Sequence, residues 1–166
     1  MGFDLSGLNP NVTRPMPELP EFKDRTKEHW EEYHKWQDEN CGSYFRNNVW
    51  WWRPLWHFVS ATCDNILTEK DIEHGSFNDG HRISKTKANR IAKRLWGLIN
   101  NGQVKEYEEG YKVHLDSLDE DDRRRSYPFN EENVRAFANF CEVLHFDDFM
   151  LSPGVWERIN DKKKGA

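Results

Sequence analysis

Three consecutive tryptophans, Trp50-Trp51-Trp52, sit inside the segment Tyr44-Phe45-Arg46-Asn47-Asn48-Val49-Trp50-Trp51-Trp52-Arg53-Pro54-Leu55-Trp56. On a helix, neighbouring residues point about 100° apart, so three adjacent indoles cannot share one face. At least one must be covered by another segment, meet a partner or line a pocket. Phe45, Val49, Trp52 and Trp56 follow helical spacing. Pro54 removes the backbone bond to Trp50, which predicts either a kink or a new helix with Pro54 in its first turn. The helix is expected to continue to about Leu67.

Rings also have to supply much of the core. Leu, Ile and Val are scarce, mean hydropathy is −0.99 and 32% of residues are charged, yet there are 8 Trp, 10 Phe and 5 Tyr. A buried ring removes about 150–250 Å² from water, so a few suffice. This aromatic content argues against disorder. A chain of 166 residues suits one domain, 1–166, large enough to bury a core.

Elsewhere the patterns are mostly helical. Pro10, Pro15, Pro17 and Pro20 make residues 1–23 extended or irregular, although Phe3, Leu5 and Leu8 can still pack. Thr26 is the expected cap of a helix to about Asn40, with Trp30, Tyr33 and Gln37 on one face and Trp36 nearby, ended by Gly42. Residues 68–83 read as a polar loop. Ser84 opens the clearest helix, with Ala88, Ile91, Ala92, Leu95, Trp96 and Ile99 in one apolar stripe and Lys85, Lys87, Arg90, Lys93 and Arg94 on other positions. Asn101-Gly102 supplies a left-handed stop. Residues 103–125 suggest one long polar helix weakened by Gly110. Asn130 caps the next helix, where Phe129 and Val134 have staple spacing. Val134, Phe137, Ala138 and Cys141 are expected to face inward. No long strand pattern stands out. The expected fold is therefore all-α: a single compact helical domain with an irregular Pro-rich N-terminal segment and a flexible tail at 160–166.

Charge and cysteines narrow the classes of function. Net charge is −5, against a general grip on nucleic acid; the basic positions of the Ser84 helix read as a solvated face. Cys41, Cys63 and Cys141 are far apart and form no CxxC pair, which suits reduced thiols in a cytoplasmic protein. No apolar run spans a membrane and no signal peptide is expected. Met1-Gly2-Phe3-Asp4-Leu5-Ser6 fits the loose myristoylation pattern poorly, and the sequon Asn11-Val12-Thr13 matters only in a secreted protein. P-loop, GxSxG and paired-cysteine motifs are absent.

Two clusters carry chemistry. In the first, Trp50, Trp51 or Trp56 would stack on a planar ligand and Arg46 and Arg53 would neutralise its charge. Asn47, Asp79 and His81 would orient it. A ring-rich core capped by these polar groups, or a protein-contact surface, explains the same residues. In the other cluster, Asp71, Glu73, His74, Asp79 and His81 place histidines and carboxylates together, suited to metal binding or proton transfer. Their spacing matches no zinc or calcium signature, and Asn78-Asp79-Gly80 is ordinary turn chemistry. If the two clusters pack together, Arg46 or Arg53, His81 and the amides after Ser84 would converge on a phosphate.

The opening Gly2-Phe3-Asp4-Leu5-Ser6-Gly7-Leu8-Asn9-Pro10 and the segment 44–56 resemble a family of small proteins encoded by bacteriophages and bacteria. Asn78-Asp79-Gly80 and the stretch from Phe129 to Phe140 are similar too. In that family the opening leads quickly into the Trp-rich segment, which makes residues 11–40 an insertion here. The resemblance implies no activity, only a setting in which small proteins counter host defences by sequestering signals or blocking proteins. The function expected is non-enzymatic capture of a small anionic, nucleotide-like ligand, with no cofactor. The alternatives are an inhibitory protein-interaction module acting on a host protein, or a metal-dependent hydrolase built on residues 71–81.

Overall fold

A computed structural model describes residues 2–8, 12–77, 79–143 and 149–151. The protein is predominantly helical, but it is not purely all-α. A four-stranded antiparallel sheet, ordered β2-β1-β4-β3, joins seven helices among the described residues. The strands are β1 (Gly2–Gly7), β2 (Tyr44–Asn48), β3 (His81–Ile83) and β4 (Phe149–Leu151). The helices are α1 (Lys27–Glu39), α2 (Val49–Thr62), α3 (Glu69–Ser76), α4 (Lys85–Asn100), α5 (Gln103–Ser117), α6 (Glu120–Arg125) and α7 (Glu131–Val143).

The strands correct the purely helical expectation, and their cause lies in the opening residues. Phe3 and Leu5 alternate with polar neighbours and are both buried, a two-residue period that suits a half-buried strand. Pairing sets Phe3 opposite Asn47, Asp4 opposite Arg46 and Leu5 opposite Phe45. Phe45 thus belongs to a strand rather than to the helical series with Val49 and Trp52. Its ring meets Phe137 and Phe140, with centroids 5.5 and 5.7 Å away.

Asn48 ends β2 and caps α2 by accepting from the Trp51 amide at 3.1 Å. Pro54 is the sixth residue of α2 rather than part of its first turn. The i→i−4 bond it cannot donate is the one to the Trp50 carbonyl, near the start of the helix, where Trp50 is exposed.

Other helix signals are met. Ser84 caps α4, and Ala88, Ile91, Ala92, Leu95 and Ile99 are buried, while Trp96 is only half-buried. Gly102, at φ 81°, stops α4 and starts α5. The long helix expected over 103–125 breaks at Leu118, and Asp119 caps the short α6. Asn130 accepts from the Asn133 amide, and Phe129 and Val134 are buried. α7 packs against α4 and buries Phe137, Ala138, Phe140 and Cys141.

α1 has a separate anchor. Trp36 is buried outside the main cluster and donates its indole N–H to the Arg14 carbonyl at 2.8 Å. Asn40 accepts from the Thr13 amide at 2.8 Å. These contacts hold the segment that the resemblance marks as an insertion. The tail 160–166, Trp156 and Asn78 lie outside the described residues. No described helix is long and apolar enough to cross a membrane.

Candidate functional site

The Trp-rich segment divides into a sealed half and an open half. Trp52 and Trp56 are 0% and 3% exposed and stack on each other at 5.3 Å. Phe3 stacks on Trp52 from β1, and Phe137 meets it edge-on. Both indole N–H groups are spent inside: Trp52 donates to the Gly75 carbonyl at 2.7 Å and Trp56 to the Ile72 carbonyl at 3.0 Å. α3 approaches so closely that a Cβ on Gly75 would stand 2.0 Å from the Trp56 ring. Trp56 is therefore a core residue and cannot stack on a ligand.

The polar members of the segment are also committed. Asn47 donates to Asn133 Oδ1 at 2.8 Å, and Asn133 donates to the Trp51 carbonyl at 3.2 Å, tying β2 and α2 to α7. Trp51 is half-buried beside that bridge. Arg46 is exposed and pairs with Asp4 at 3.5 Å; Asp4 also accepts from the Tyr44 hydroxyl. Burial and that bond to Asp4 push the Tyr44 phenol well above its usual range. Arg53 donates to the Tyr127 hydroxyl at 2.9 Å and stands 5.6 Å from the centre of its ring. Trp50 remains 53% exposed, with Tyr127 5.1 Å away. What the segment offers outward is thus the corner of Trp50, Arg53 and Tyr127.

Most of the His and carboxylate cluster is not on a loop: Asp71, Glu73 and His74 lie on α3 and His81 on β3, with Asp79 on the turn between them. Thr68 and Asp71 form a reciprocal capping box that starts α3, a signal readable in Thr68-Glu69-Lys70-Asp71. Asp71 is 3% exposed and receives four donors. The Thr68 amide and hydroxyl reach Oδ2 at 2.8 and 2.7 Å, the Lys87 ammonium joins them, and His81 Nε2 stands 2.7 Å from Oδ1. Burial opposes ionisation, but the bonds from His81, Lys87 and Thr68 outweigh it and hold the carboxyl well below its usual range. Asp71 is thereby a clasp joining α3, β3 and α4.

His74 Nδ1 lies 2.7 Å from Asp79 Oδ2, and its ring stacks on His81 at 4.7 Å with an 11° tilt. Imidazole lone pairs lie in the ring plane, so two parallel rings do not aim them at a common ion. Among the described residues no group of three or more His, Cys, Asp and Glu is arranged to hold a metal. The groups expected to converge on a phosphate, Arg46 or Arg53, His81 and the amides after Ser84, are engaged within the fold. Each of those side chains has its own partner, and the Ser84 hydroxyl takes the Lys87 amide.

A third region reads in the sequence as only a solvated face. The outer side of α4 borders two open hollows of about 660 and 520 Å³ that share Lys93 and Gly97. The larger is lined by Asn89, Ala92, Trp96, Asn100 and Glu142 besides those two. The smaller is lined by Asn65, Ile66, Arg90, Arg94, Leu98, Asn101 and Gln103 besides them. Among the described residues, three cations and no carboxylate line the smaller hollow. Arg90 and Arg94 donate to the carbonyls of Asn65 and Thr62 at 3.4 and 3.1 Å, which orients them without cancelling their charge. Trp96 lies under the Arg135 guanidinium at 5.9 Å. The signal for this site was present in Arg90, Lys93 and Arg94 and in a glycine within a helix.

No protein-family model, curated protein or solved structure matches the chain.

Proposed function

We propose that the protein binds a small anionic, nucleotide-like molecule without turning it over, on the outer face of α4. One observation carries this reading: Arg90, Lys93 and Arg94 border a hollow with no carboxylate among its described lining residues, beside a half-buried indole. Charge-assisted bonds from guanidinium groups suit phosphate, and an aromatic ring suits a planar base. The resemblance to phage-encoded proteins fits such a role, in which a host signal is sequestered inside the infected cell. Titration with a panel of linear and cyclic nucleotides tests it. Tryptophan fluorescence should respond in the native protein, and the response should be lost after Trp96→Phe and after Arg90→Gln, Lys93→Gln and Arg94→Gln together. No response from any nucleotide removes the reading.

The corner of Trp50, Arg53 and Tyr127 favours a different reading, a contact surface for a host protein. Trp, Tyr and Arg are the residues most often responsible for interface affinity, and an indole exposed by 53% suits that use. Its test is a complex with a host protein that survives gel filtration and is lost with Trp50→Ala. A complex that forms equally well with Trp50→Ala contradicts it.

A further inference from the structure

We infer that the ligand lies across α4 at Gly97, its ring in the Trp96 hollow and two or more phosphates against Arg90, Lys93 and Arg94. This makes the preferred class a nucleoside di- or triphosphate. The inference rests on the binding reading above and adds a direction and a phosphate count to it.

The direction follows from the unequal chemistry of the two hollows. The Trp96 hollow holds one cation, Lys93, and one carboxylate, Glu142, with the amides of Asn89 and Asn100. Lys93 stands on the ridge shared by the two hollows and its charge is counted once, with Arg90 and Arg94; Glu142 and the two amides leave this hollow rich in donors and acceptors, which matches the edge of a base. The other hollow holds Arg90, Lys93 and Arg94 with no carboxylate among its described lining residues. A single phosphate monoester brings a charge of about −2 at most, so full neutralisation there calls for more than one phosphate.

The crossing point follows from Gly97. Residues 89 and 90 start the two sides of the helix, about 100° apart around its axis, so the hollows run side by side rather than end to end. Lys93 and Gly97 form the ridge between them, one turn apart. A glycine within a helix costs about 1 kcal/mol relative to alanine. Here a Cβ would meet nothing within 4 Å, so packing does not require the glycine. Its bare backbone leaves a saddle in the ridge. The arc from one hollow to the other over a helix 10–12 Å wide is roughly 10 Å, the span of a nucleoside joined to a short phosphate chain.

Calorimetric titration of the full chain with adenosine, AMP, ADP, ATP and inorganic triphosphate tests this, using Gly97→Val and Arg94→Gln. Valine is a better helix former than glycine and has open space at this position, so Gly97→Val should fold normally, which circular dichroism checks. Affinity should rise about tenfold with each phosphate from AMP to ATP. Gly97→Val should weaken ATP at least about tenfold while inorganic triphosphate, confined to one hollow, is unchanged. Arg94→Gln should weaken both. If AMP and ATP bind alike, with both sensitive to Arg94→Gln and neither to Gly97→Val, this inference falls and the binding reading stands. If none of the five binds, this inference falls, and the binding reading falls with it when the wider panel of linear and cyclic nucleotides is silent too.

Discussion

The segment Trp50–Trp56 and the outer face of α4 invert what their sequences advertise. The Trp-rich segment is the most distinctive stretch of the chain, yet Trp52 and Trp56 are spent on packing and on donating to carbonyls of α3. The α4 face has the composition of an ordinary charged helix surface, yet it borders two hollows, in the smaller of which three cations meet no carboxylate among the described lining residues. An unusual aromatic run is explained as well by a core short of aliphatic residues as by a ligand. What separates the two is whether the polar atoms beside the rings already have partners.

The contrast is broken most forcefully on the packing side. Trp52→Ala should destabilise the protein by about 3–5 kcal/mol in denaturant unfolding. Gly75→Val should prevent stable folding, because its side chain would enter the space of the Trp56 ring. A Trp52→Ala protein of normal stability would mean that the stack with Phe3 and Trp56 is not the core described here.

Next in size is the effect on binding. Replacing Arg90, Lys93 and Arg94 together by Gln should lower nucleoside triphosphate affinity about 100-fold or more. Unfolding stability should change by less than about 1 kcal/mol, since all three are exposed. Loss of folding instead of loss of binding would transfer these residues to the structural side of the comparison.

How much of this was readable depended on the range of the physics involved. Local signals were plain: Ser84, Asn130 and Gly102 set helix ends where their chemistry requires. The Phe3 and Leu5 strand was not, because two buried positions make a short period and its partners lie about 40 residues away or more. Thr68 and Asp71 spelled a capping box that the surrounding polar residues hid. The fate of Arg46 and Arg53 was beyond reach, since Asp4 and Tyr127 meet them only through the fold.

A smaller effect concerns the Asp71 clasp. Its folded carboxyl titrates below the unfolded value of about 3.9, so its stabilisation is complete above that pH. It is lost progressively as pH falls below about 4 toward the folded titration. Asp71→Asn should cost about 2 kcal/mol at neutral pH and flatten this acid limb in pH-dependent unfolding. An unchanged limb would show that the bonds from His81 and Lys87 do not stabilise the ionised form. The smallest effect is expected from Trp50→Ala: less than about 1 kcal/mol in stability and less than about twofold in nucleotide affinity.

The indole N–H resonances of the eight tryptophans report the site most directly. With Trp50 and Trp96 assigned from Trp50→Phe and Trp96→Phe, titration with a nucleoside triphosphate should shift the Trp96 signal and leave the Trp50 signal in place. A shift at Trp50 with Trp96 unmoved would return the site to the Trp-rich segment and contradict the account given for α4.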